Sequence, residues 1–212
     1  MSLISLHMWP LIAATIYSLS YFIYVEKEFS IWLSILTHAF ALPVIVEDFP
    51  NFLSISTCLT VIASTLFHII NDLYNDDKEK HFRRFDHGWS VFLIYAILFK
   101  VSYKKIPEWA IFVLTMVTVI PAAFLTNPRT YLPLAILAFI IMLSLLYRKY
   151  NRQLLIAFIL FVTAAASRYI PILDNKYHRH SVWHALIFTA VYYAHLGIVY
   201  NETKKRSKNL IS

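Results

Sequence analysis

Apolar runs of about membrane-span length, separated by short charged or polar breaks, follow one another along almost the whole of this chain. They fall at Met8–Tyr24, Ile31–Val46, Phe52–Leu73, Asp86–Val101, Trp109–Leu125, Tyr131–Tyr147, Leu154–Ile170 and His180–Tyr200. A helix takes about 20 apolar residues to cross about 30 Å of hydrocarbon. The 212 residues therefore hold at most about eight spans with tight loops, leaving no room for an appended soluble domain. The second run is the weakest, being short and carrying His38 and Pro43, so a re-entrant or short tilted segment there would make the count seven. Internal prolines such as Pro43 and Pro121 do not break the assignment, because neighbouring helices can satisfy the freed carbonyls.

Composition excludes the other classes. Charged residues make up 15% of the chain, against roughly 25% in a soluble domain. Aromatics at 17% and only two glycines are equally unlike a disordered chain. The net charge of +7 does not point to nucleic acid, because the lysines and arginines lie between apolar runs with no independent fold to present them. They are loop charges that set topology and meet anionic lipid head groups. Counted on alternating sides they nearly balance, with a slight lean to a cytosolic C-terminal tail. Cys58 is the single cysteine, which excludes an intramolecular disulfide or a thiolate cluster. MSLISLHMWP lacks the basic start of a cleaved signal peptide.

Ionisable side chains within spans cost about 2.5 to 3.5 kcal/mol each on insertion scales, so they mark function. Near the end of the third run stands S-T-L-F-H, which puts Ser64 and His68 on one helical face. Asp86 opens the fourth run, and the last begins H-S-V-W-H, aiming His180 and His184 at the same point. If the third run exits on one side, the fourth starts there, and four further crossings return the chain to that side for the last. Ser64, His68, Asp86, His180 and His184 then share one depth. Three imidazoles at one level suit the first coordination shell of a catalytic zinc site with a fourth position left for water. The metal lowers the pKa of such water towards about 7. Asp86 is placed to accept and return the proton, and Ser64 to hydrogen-bond the water or a developing oxyanion.

Each residue also has a plainer explanation. A histidine in a span can bond helix to helix, Ser64 can bond its own backbone one turn back, and Asp86 can serve as a helix N-cap. Asp72 is a rival carboxylate, and His87 and His178 are rival ligands beside the chosen ones. His38 and His195 are expected to stand alone at other depths. With two glycines there is no phosphate-binding loop.

The ordered set S-x-x-x-H, then Asp at the head of the next helix, then H-x-x-x-H opening the last helix resembles the CREST superfamily of seven-span membrane hydrolases, over about Phe52 to Tyr200. S-T-L-F-H, D-H-G-W-S and H-S-V-W-H look most like its post-GPI-attachment phospholipase and myomaker branch. The resemblance implies an all-α membrane protein with a seven-transmembrane-helix core and one extra N-terminal span; residues 52–200 are its CREST-like transmembrane core, with N-terminal span or spans at 1–51 and a basic tail at 201–212. It further implies zinc on His68, His180 and His184, with Asp86 and Ser64 as catalytic residues. The expected activity is hydrolysis of an amide or ester bond in a membrane lipid by metal-activated water. The alternative is a non-enzymatic receptor or fusion-type membrane protein with a structural zinc site.

Overall fold

The computed structural model describes residues 3–19, 27–48, 51–73, 151–169 and 176–209, together with Asp86, Trp89, Leu93, Ala96, Ile97, Pro107, Trp109, Ala110 and Val113. The runs expected at Trp109–Leu125 and Tyr131–Tyr147 lie wholly or mostly outside these residues, as do the loop from Tyr74 to Phe85 and His87. All described secondary structure is helical, with no strand among the described residues.

Helix α1 spans Leu3–Leu19, α2 Lys27–Leu36, α3 Leu42–Asp48, α4 Phe52–Leu73, α5 Arg152–Tyr169 and α6 Lys176–Asn209. The run expected at Ile31–Val46 is not one straight span, because a 3-10 turn at Thr37–Ala41 separates α2 from α3. The cause is Pro43. Its nitrogen cannot donate to the carbonyl of Ala39, and the Leu42 N–H takes that carbonyl three residues back instead. The tightened turn buries Thr37, His38 and Ala41.

Two described helical stretches are long and apolar enough to cross a membrane, Phe52–Ile70 of α4 and His178–Tyr200 of α6. Shorter apolar stretches are Met8–Leu19, Ile31–Glu47 and Arg152–Ser167. The α6 window is 83% buried against 50% for that of α4, so α6 is the central post, with α1, α2, α3 and α5 all packed on it. Tyr17 of α1 donates to Ser181 Oγ of α6 at 2.9 Å, and Tyr192 of α6 donates to Glu47 Oε1 of α3 at 3.1 Å. Asn151 accepts from the Gln153 N–H at 2.9 Å, capping α5, and donates to the Gly197 carbonyl of α6 at 3.0 Å. The basic stretch after Tyr200 continues α6 as helix to Asn209.

Helix α4 is inverted relative to a surface helix of a soluble domain. Ile55, Ile62, Leu66 and Ile69, spaced by seven, four and three residues, form an exposed apolar face. Ser56, Thr57, Thr60, Ser64 and His68 are buried. Burying so polar a face is tolerable because Ser56, Thr57 and Thr60 return their hydroxyls to backbone carbonyls four residues back, at 2.7 to 2.8 Å.

Candidate metal centre

Three segments distant in sequence supply a buried group of imidazoles. His68 stands near the C-terminal end of α4, His184 in the first turns of α6, and His38 on the 3-10 turn. One ligand nitrogen from each lies within 4.8 Å of the other two, and all three residues are buried, so the group can hold a metal ion. The His184 ring is stacked on that of His38 at 4.8 Å and meets that of His68 at 5.3 Å, edge-on. His180 stands beside the group, its ring 4.4 Å from that of His184 and 4.9 Å from that of His68. The rings of the i, i+4 pair on α6 thus both lie close to that of His68. The stacked Trp183 ring, 5.8 Å away at 12°, backs His180.

His38 is the residue that sequence reasoning set aside. The sequence places it alone at another depth, and the 3-10 turn before Pro43 instead brings it against His184 and His68. The pointer to it in the sequence is a histidine five residues before a proline within an apolar run. His38 Nδ1 is hydrogen-bonded to Thr65 Oγ1 at 2.8 Å, and its Nε2 is buried with no hydrogen-bond partner among the described residues. A buried nitrogen left in that state costs free energy unless something outside the protein atoms binds it. Together with the close approach of three imidazole nitrogens, it fits the group to hold a metal ion, and imidazole suits zinc, copper, iron and nickel alike.

Ser64 is buried one turn before His68. Unlike its neighbours on α4 it makes no bond to the preceding turn, and its Oγ is buried without a partner among the described residues. Asp86 is buried and helical, as are Leu93, Ala96 and Ile97. Thr60 Oγ1 donates to the Trp89 carbonyl at 3.1 Å, which ties the stretch carrying Asp86 to α4 one turn before Ser64.

Among the rivals, His178 is engaged elsewhere, its Nδ1 at 3.1 Å from Ser181 Oγ and its ring facing Tyr17 edge-on. His195 is buried further along α6. The side chain of Asp72 lies outside the described residues. Comparison with protein-family models, curated proteins and solved structures finds no match to this chain.

Proposed function

We propose that this chain is a multi-pass membrane hydrolase of the CREST type that uses zinc to cleave an amide or ester bond in a membrane lipid. The observation that carries the reading is the convergence of buried imidazoles from three helical segments, with His68 and His184 common to the motif set and the spatial set. When bound, zinc supplies Lewis-acid polarisation of a carbonyl and a water acidic enough to act as nucleophile at neutral pH. His68 and His184 hold the ion, with a third imidazole from His180 or His38. Asp86 accepts the proton of the attacking water and delivers it to the leaving group. The Ser64 hydroxyl, not committed to its own helix, is free to donate to the oxygen that gains charge as the substrate carbonyl is attacked. The outward apolar face of α4 suits a chain solvated by lipid, so the substrate's acyl chain reaches the site without crossing water.

Purified protein is expected to carry about one zinc per chain. Asp86→Asn should keep that zinc and lower lipid turnover by about 10² to 10⁴-fold, the usual contribution of a positioned acid–base group. Comparing the lipids of cells expressing wild type and Asp86→Asn identifies the substrate at the same time. The burial of all four imidazoles favours one other reading, a receptor or fusion-type membrane protein with a structural zinc. An unchanged lipid profile in Asp86→Asn, with zinc retained, would select it.

A further inference from the structure

The motif set takes its metal ligands from α4 and α6, yet the nitrogen geometry reaches outside residues 52–200 to the 3-10 turn. We infer that His38 is a metal ligand through Nε2 and that Thr65 is the positioning residue that fixes it; this rests on the zinc reading of the site.

The His38 ring is held on three sides. It stacks on His184 at 4.8 Å with 27° between the planes, it meets the edge of Phe188 at 5.7 Å, and its Nδ1 is bonded to Thr65 at 2.8 Å. A metal-ligating histidine typically donates its second ring N–H to an oxygen, which sets the tautomer and the ring orientation. Thr65 Oγ1 is such an oxygen. With Nδ1–H donating to it, Nε2 presents its lone pair, and that nitrogen is the buried atom with no hydrogen-bond partner among the described residues. Thr65 sits between Ser64 and His68 on α4, so one helix supplies a ligand, the hydroxyl and the group that orients the third imidazole. His38, His68 and His184 would then supply three nitrogen ligands from three segments, the number a catalytic zinc site takes from the protein.

The test uses the full chain in detergent, stripped of metal and titrated with Zn²⁺ and with Co²⁺ against a competing chelator. Zinc affinity and the cobalt absorption spectrum are the readouts. His38→Ala should weaken zinc binding at least 100-fold and change the cobalt spectrum. Thr65→Val should weaken it by about 10- to 100-fold, and Thr65→Ser should restore it. His195→Ala, a change elsewhere on α6, should leave both readouts at wild-type values. Wild-type affinity and spectrum in His38→Ala, with binding lost in His68→Ala, would overturn the role of His38 and leave the metal site standing. Failure of the wild-type chain to bind either metal would overturn the zinc reading itself. If His38→Ala does not fold, equal zinc affinity in Thr65→Val and Thr65→Ser overturns the inference.

Discussion

Two hydroxyls one turn apart on α4 have opposite duties. Thr60 Oγ1 serves the Ser56 carbonyl at 2.8 Å and the Trp89 carbonyl at 3.1 Å, whereas Ser64 Oγ is buried with no partner among the described residues. Removing a hydroxyl that satisfies buried carbonyls costs stability, while removing one that satisfies nothing removes its own desolvation penalty. Thr60→Val is therefore expected to lower unfolding stability by about 1 to 2 kcal/mol. Ser64→Ala should leave the melting temperature unchanged or raised, and cut lipid turnover by about 10²-fold as a lost oxyanion donor does. Thermal melts and turnover measured on the same preparations check both, and a Ser64→Ala chain with full turnover removes Ser64 from the catalytic set. Ser64, His68, His180 and His184 could be picked out of the sequence because a four-residue spacing on a helix is a statement about one face. His38 could not, because its position depends on the 3-10 turn before Pro43, which the spacing of residues along an apolar run does not show.

At the scale of elements, the seam between α5 and α6 is governed by one absent side chain. A Cβ at Gly197 would meet Leu154 Cγ at 2.7 Å and Cδ2 at 2.8 Å, and the Leu154 backbone nitrogen at 3.3 Å. Close approach of this kind is what small residues permit between helices in a membrane, where packing rather than the hydrophobic effect holds them together. The same seam carries the bond from Asn151 to the Gly197 carbonyl, so separating the helices strains a buried polar contact as well. Gly197→Ala should cost about 1 to 3 kcal/mol, the usual range for overpacking. Adding Leu154→Ala to it should recover part of the loss, because the nearest clashing atoms are then gone, although the backbone nitrogen remains. Melting of the single and double variants in detergent gives the coupling directly, and additive losses would mean that the two residues do not share the contact. The apolar run Phe52–Leu73 could be read from the sequence as helix and is helical throughout, starting directly after Pro50 and Asn51. Helix α6 overran its apolar run at both ends because Lys, Arg and Glu are good helix formers, and cations near a helix C-terminus suit its dipole.

For the molecule as a whole, the sidedness of α4 decides which solvent it folds in. Ile62 is 49% exposed and lies on the apolar face with Ile55, Leu66 and Ile69, while Ser54, Ser56, Thr57, Thr60 and Ser64 of the same helix are buried. In water, replacing an exposed isoleucine by aspartate changes stability by no more than about 0.5 kcal/mol, since such surface substitutions touch little. In lipid the same carboxylate faces hydrocarbon near mid-span and costs about 2.5 to 3.5 kcal/mol of insertion. Ile62→Asp is thus expected to shift the protein out of the carbonate-resistant membrane pellet. Ser56→Ala, a change on the buried side, should leave that fraction unaltered, because an internal bond to the Phe52 carbonyl is all it removes. The opposite ranking, with Ile62→Asp harmless or solubilising and the wild type extracted by carbonate, would reassign the exposed apolar face to a protein partner. It would also remove the support that this face gives to the proposed lipid substrate.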